Sequence, residues 1–197
     1  MRKQKRLFAG SCDIQFLIQY NYSLKDILRR KMLPLKLLDE IKSDLLQIDD
    51  TGNIISFNAV GGGCIHRAGC LMTSQNKYFL KWNKAAFSGQ FKVEAEGLRL
   101  LNETKTIRIP DVIGISQTES NISAYLLMEW IEQQGRARPA QQLLGEKLAR
   151  LHLYSQESGQ MKYGLDFDNY IGSTPQINDW ENDWIIFFQR NRLAPQI

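Results

Sequence analysis

The sequence predicts an α+β fold: a five-stranded antiparallel sheet with one inserted helix, followed by a helical region. Three observations carry that expectation. Short segments of strand length, separated by polar turns, run from Ile54 to Trp82 and again from Val112 to Glu129. Between those groups, Phe91, Ala95, Leu98 and Leu101 recur at helical spacing. Beyond a polar linker at 132–138 the strand pattern stops, and two helix-like segments follow.

The first element is a helix at about 33–47, where Leu33, Leu37, Leu38, Ile41, Leu45 and Leu46 form one apolar stripe. Asp49-Asp50-Thr51-Gly52-Asn53 is the turn cluster after it. Three strands follow, Ile54–Val60, Ala68–Thr73 and Lys77–Trp82, with Ser74-Gln75-Asn76 turning the chain between the last two, so that they form an antiparallel meander. The inserted helix spans Phe91–Thr104, and Pro110 closes the connection to two more strands, Val112–Ser116 and Ser123–Glu129. Pro139 then sits near the start of a helix to about Ser155, where proline is tolerated. Residues 158–180, rich in Gly, Asn, Asp and Pro, read as loop. A last helix, about Asp179–Arg192, carries Trp180, Trp184, Phe187 and Phe188. This is the element order of a protein-kinase-like N-lobe and the start of its C-lobe.

Composition narrows the class. With 43% apolar and 23% charged residues over 197 positions, the chain can bury a full core. No apolar run approaches the ~20 residues of a membrane helix. The net charge of +4 is uneven: residues 1–31 hold eight Lys/Arg against two acids, a net of +6, which leaves the other 166 residues at −2. The basic balance belongs to the front segment, so it gives no case for nucleic-acid binding by the body. Three cysteines, Cys12, Cys64 and Cys70, have no close-spaced pair, which argues against a disulfide framework and a zinc site and for a reducing cytoplasm. The start, MRKQKRLFAGSC, reads as a basic tail better than as a signal peptide or a lipoprotein signal ending at Cys12, because its apolar stretch is short and Asp13 follows at once. Met32 opens the first proper helix, so 1–31 reads as an extension outside the fold.

Chemistry concentrates at four places. Gly61-Gly62-Gly63 lies between strands one and two, and glycines let backbone N–H groups approach phosphate oxygens; alone such a run is more often a plain turn, and no Gly-Lys-Ser/Thr follows to make a Walker motif. Lys81, on strand three, lies 18 residues after Gly63 and can project toward phosphates beneath the turn or outward to solvent. Glu94, 13 residues later in the inserted helix, can pair with that ammonium, whereas Glu96 lies off its face. Glu129, Trp130 and Ile131 end strand five, where backbone groups can meet an adenine edge, or simply finish an edge strand. Glycines, lysine and glutamate in this order are far more specific than any one of them. Cys64, directly after the glycines, reads either as a redox-sensitive thiol near Arg67 or as a small buried side chain. Cys70 reads as core.

The segments VGGGCI, YFLKWN, FKVEAEGLRLL, IRIPDVIG, LLMEW, LLGEKLARLHLYS and, above all, YGLDFDNYIGSTPQINDWENDWIIFFQRNRLAPQI resemble the fructosamine/ketosamine-3-kinase family from about Met32 to the last residue. The resemblance implies a protein-kinase-like fold related to aminoglycoside and choline kinases. It implies ATP-dependent phosphorylation of the sugar 3-hydroxyl of a ketoamine, with a glycated small amine or glycated protein as partner. The regions it implies are a basic extension (1–31), an ATP-binding N-lobe (32–131) and the start of a C-lobe (132–197). Gly61, Gly62 and Gly63 would cover phosphates, Lys81 and Glu94 would pair, and Glu129, Trp130 and Ile131 would touch adenine. The segment holding Asn169, Gly172 and Gln176 would lie near the cleft.

The chain departs from the family in three respects. His66-Arg67 replaces a small polar residue or Asn followed by Glu, Gly69 stands where a larger residue is expected, and no His-Gly-Asp catalytic loop or metal-binding Asp occurs in the 197 residues. His152 has no Asp in register, and Asp166-Phe167-Asp168-Asn169 lacks the glycine of a metal-binding turn. The expectation is therefore a kinase fragment without catalytic residues, with ATP as ligand and the family's Mg²⁺ ligands missing. The alternatives are a non-catalytic nucleotide-binding or scaffold protein, or an aminoglycoside- or choline-type kinase. A homodimer through Cys64 or through the aromatic final helix is also expected.

Overall fold

The computed structural model describes residues 33–61, 65–116, 123–132, 138–157 and 159–197. The expected extension at 1–31, and Gly62, Gly63 and Cys64, lie outside the described residues. Helix α1 (Leu35–Gln47) starts after Pro34 and buries Leu37, Ile41 and Leu45, the i, i+4, i+8 positions of its leucine stripe. Strands β1 (Ile54–Ala59), β2 (Arg67–Thr73) and β3 (Lys77–Lys84) form the meander, each antiparallel to the next. A 3₁₀ turn, Ala85–Phe87, leads into helix α2 (Ser88–Glu103). Strands β4 (Val112–Ile115) and β5 (Ser123–Glu129) complete a five-stranded sheet of order β1-β2-β3-β5-β4.

Strand β5, between β3 and β4, is buried from Ser123 to Met128. Its alternating side chains divide the core in two. Tyr125 and Leu127 join Leu71, Tyr78 and Leu80 beneath α1, while Ala124, Leu126 and Met128 face Phe91 and Ala95 of α2 on the other side. The same alternation sets β3: Tyr78 and Leu80 point toward α1, so Phe79 and Lys81 point toward α2.

Two polar ties fasten α1. Tyr125 donates to Asp44 at 2.6 Å. Burial pushes the Asp44 carboxyl up, helped by the charge of Glu40 and opposed by that tyrosine bond. Gly114 leaves room for this carboxylate, since a Cβ there would lie 1.8 Å from its Oδ2. After the helix, buried Asp50 accepts from Tyr78 Oη at 2.6 Å, Thr73 Oγ1 at 2.9 Å, the Gly52 amide at 2.8 Å and Asn76 Nδ2 at 3.2 Å. Burial works to raise its pKa, but these four bonds outweigh it and hold the carboxyl below its ordinary value.

Helix α3 (Arg138–Glu157) has Pro139 in its first turn, as its sequence implies. Its leucines Leu143, Leu144, Leu148 and Leu153 are exposed. The segment after it is more ordered than its composition indicates: Asn169–Ile171 (β6) and Thr174–Gln176 (β7) form a hairpin, turned at Gly172 with φ +65°. Buried Asn178 ties that hairpin down, its amide N–H donating to Asp168 at 2.9 Å and its Nδ2 to Asn169 at 3.1 Å. Arg192 donates to Asn178 Oδ1 at 2.6 Å. The expected last helix at 179–192 is in fact a short α4 (Trp184–Phe188) running into a π-helical turn, Gln189–Leu193. Its start is set by Asp183, whose carboxylate accepts from the amides of Ile185 and Ile186 at 2.7 and 3.1 Å. Phe187 is buried under Arg192, whereas Trp180, Trp184 and Phe188 are exposed. Among the described residues, no helix is long and apolar enough to cross a membrane.

Candidate nucleotide site

A cleft of about 690 Å³ opens between the β1–β2 hairpin and α2. Its apolar walls follow from strand alternation. Phe79 of β3 and Met128 of β5 are cross-strand partners on the α2 side, and Ala68 of β2 lies opposite Lys81. Val60, Ile65, Leu98 and Pro110 complete the apolar lining. Gly61 also lines it, with nothing within 4 Å of where a Cβ would sit.

Lys81 lies in that cleft and donates to both carboxylate oxygens of Glu94, at 2.6 and 2.7 Å. Phe91, Glu94, Ala95 and Leu98 share one face of α2, so the helix that buries Phe91 and Ala95 also brings Glu94 against the sheet. Glu96 pairs instead with Arg99, off this face, as the helical spacing requires. The side chains of Lys81 and Glu94 are 22% and 34% exposed, so the pair is partly desolvated but open to a ligand. A two-point grip on the ammonium holds the long lysine side chain extended and directed into the cleft.

His66 lines the same cleft. Its ring packs on Phe91 at 4.5 Å and edge-on against Phe87 at 5.4 Å. Burial lowers its pKa, as does the nearby Lys81 ammonium, against the opposing influence of Glu94 and Gln90. Asn83 Nδ2 donates to the Ile65 carbonyl at 2.9 Å and lies 3.2 Å from His66 Nδ1. Arg67 points elsewhere, its guanidinium stacked 4.7 Å over the ring of Trp82. Strand alternation could have supplied Phe79 and Met128 from the sequence; His66 was visible there only as a departure from the family.

The strand end 129–131 sits differently. The Glu129 amide donates to the Asp111 carbonyl at 2.9 Å and its carboxylate pairs with Arg108. Trp130 lies beside Phe79, rings 6.1 Å apart. The cleft wall at this end is Met128, and Glu129, Trp130 and Ile131 are not among the lining residues. Of the hairpin, Gly172 approaches Ile65 of the cleft lining, since a Cβ on it would lie 3.7 Å from the Ile65 side chain. Asn169 and Gln176 pair across β6 and β7 and are not in the cleft lining. Cys70 is buried within β2, as core.

Comparisons with known proteins agree on the family. The family model described as fructosamine kinase matches residues 38–197. The chain is 37% identical over 159 residues to the chloroplastic protein-ribulosamine 3-kinase of Arabidopsis thaliana, covering 81% of this chain and 48% of that protein. It is 36% identical over 159 residues to the protein of the same name in Oryza sativa subsp. japonica, covering 81% and 45%. The crystal structure of "Putative fructosamine-3-kinase" from Haemophilus somnus 129PT superposes with a TM-score of 0.70 at 28% identity, covering 84% of this chain and 53% of that one. The chain thus spans about half the length of the relatives it matches. With a kinase-like α+β fold, a matched family model over most of its length and the pair Lys81–Glu94 in its cleft, the chain belongs to the fructosamine kinase family.

Proposed function

We propose that this chain carries the ATP-binding portion of a kinase that phosphorylates the sugar 3-hydroxyl of ketoamines. The observation that supports this most is the bidentate Lys81–Glu94 pair inside the cleft beside Gly61. An ammonium gripped by a carboxylate inside a cleft is what charge compensation of nucleotide phosphates needs. The cleft suits ATP in kind: Phe79, Ala68, Leu98 and Met128 offer apolar walls for a purine, and Lys81 offers a cation. In this reading Gly61 borders the phosphates and Met128 the purine, while the Glu129 amide is already bonded to the Asp111 carbonyl. ATP, when bound, supplies the phosphoryl group; Lys81 orients it and Glu94 keeps Lys81 in place.

The acceptor class rests on the relatives' names, which specify ribulosamine and ketoamine; a glycated amine or glycated protein suits them both. Magnesium is a different case. Among the described residues no three His, Cys, Asp or Glu side chains converge to hold a metal ion, so no step is routed through one. The sequence also contains no His-Gly-Asp loop. We therefore expect this polypeptide by itself to bind nucleotide without turning it over.

Two measurements test the two halves of the proposal. ATP binding measured calorimetrically should weaken about ten- to a hundredfold in Lys81→Met, the loss of a charge-assisted contact, with circular dichroism unchanged. Equal affinity of the two proteins would end the nucleotide assignment. In the same preparation a coupled ADP-release assay with a small fructosamine should stay flat; turnover near ~1 s⁻¹, an ordinary kinase rate, would refute the expected inactivity.

A further inference from the structure

The cleft holds a third polar side chain besides Lys81 and Glu94, that of His66. Asn83 determines its chemical form. The Asn83 side chain donates through Nδ2 to the Ile65 carbonyl at 2.9 Å, and accepts through Oδ1 from the Lys84 amide at 2.8 Å. Those two bonds leave no freedom in the amide's orientation: the nitrogen faces His66. At 3.2 Å from an N–H₂ group, His66 Nδ1 must be an acceptor. The neutral ring then carries its proton on Nε2. Protonating Nδ1 as well would set two donors against each other and break the Asn83 clip.

The rest of the surroundings pull both ways. The charged groups facing the ring are Lys81 from β3, which favours the neutral form, and Glu94 from α2, which opposes it; a hydrogen bond with the Gln90 side chain of α2 also opposes it, and Phe87 and Phe91 wall the ring in. Burial and the Lys81 ammonium hold the ring's pKa below its ordinary value, which keeps it neutral near pH ~7.

Resting on the nucleotide reading above, we propose that His66 is a further ligand of the nucleotide's phosphates, presenting a neutral Nε2–H donor beside Lys81, with Asn83 as the positioning residue that fixes its tautomer. The placement has a physical logic. A second cation next to Lys81 would compete for Glu94 and loosen the pair, whereas a neutral donor adds a hydrogen bond to phosphate oxygen without disturbing it. The residue follows the glycine turn closely, so the chain that covers the phosphates also delivers the donor.

The test exploits the fact that the chain has only two histidines, His66 and His152. Ring-nitrogen NMR of the full chain should show one imidazole with Nε2 protonated and Nδ1 bare, a signal absent in His66→Gln. Adding ATP alone should move that Nε2–H resonance while Nδ1 stays unprotonated. His66→Leu should weaken ATP about three- to tenfold, the range of one neutral hydrogen bond, and His66→Gln, which keeps a side-chain N–H, should recover part of the loss. Ring signals that stay still while cleft amides such as Lys81 and Ala68 shift would remove His66 from the site and leave the nucleotide site standing. An imidazole driven to its doubly protonated form by ATP would equally overturn the neutral-donor proposal. If no amide moved at all, the nucleotide reading itself would fall, and this one with it.

Discussion

Gly69 shows how a single atom governs the hairpin next to the cleft. A Cβ at this position would lie 2.4 Å from the Asn58 carbonyl oxygen, 2.8 Å from the Phe57 ring and 2.9 Å from the Ala59 Cα. Two of those three neighbours are backbone, so the contact cannot be relieved by turning a side chain. The residue is also buried and pairs directly with Ala59 across β1 and β2. Gly69→Ala should therefore destabilise the chain by about 1–3 kcal/mol, the usual cost of overpacking a filled site, read as a lower urea midpoint. A stability within ~0.5 kcal/mol of the parent would mean that the hairpin shifts freely. The sequence marks Gly69 only as smaller than its relatives. Its reason is the β1 backbone at Asn58 and Ala59, together with the Phe57 ring, which packs against the α1 side of the core. Lys81 and Glu94 were legible because each is a charged residue on an otherwise apolar face of a regular element, where period alone fixes direction. His66 was not, because its tautomer depends on Asn83 and its walls on Phe87 and Phe91, none of them adjacent in sequence.

At the scale of elements, regular periodicity was readable and short or interrupted structure was not. The five strands and the inserted helix fall where alternation and helical spacing place them, to within a few residues. The hairpin β6–β7 escapes notice because its strands have three residues each and Pro175 sits inside one of them. The last helix was expected to begin near Asp179, but its start is displaced by a cap. The Asp183 side chain accepts two of the amides that a helix N-terminus leaves without partners, and its own backbone is extended. With only five α-helical residues before the π turn, α4 depends on that cap more than a long helix would. Asp183→Ala should cost about 0.5–2 kcal/mol, and the loss should appear as faster amide exchange at Ile185 and Ile186 than elsewhere in 159–197. Unchanged exchange at those two amides would show that packing of Phe187 alone holds the turn.

For the molecule as a whole, the described structure is unevenly supported. The sheet is sandwiched between α1 and α2, with both faces of β5 buried. Helix α3 is a contrast: Leu143, Leu144, Leu148 and Leu153 are 51%, 52%, 42% and 48% exposed. Most helical stability in proteins comes from burying an apolar stripe, and these four leucines bury little. The chain spans about half the length of its relatives, so what covers this stripe in a longer relative is a separate question from how it behaves here. In the 197-residue polypeptide, α3 amides should exchange with solvent at least about a hundredfold faster than those of β3 and β5, since local opening there exposes little that was buried. Mass-spectrometric hydrogen exchange on dilute protein resolves the two regions. Protection of α3 as deep as that of β5 would show that a second copy or another surface closes over the leucines. A dilution series would then separate those two cases, because only self-association loses protection as concentration falls.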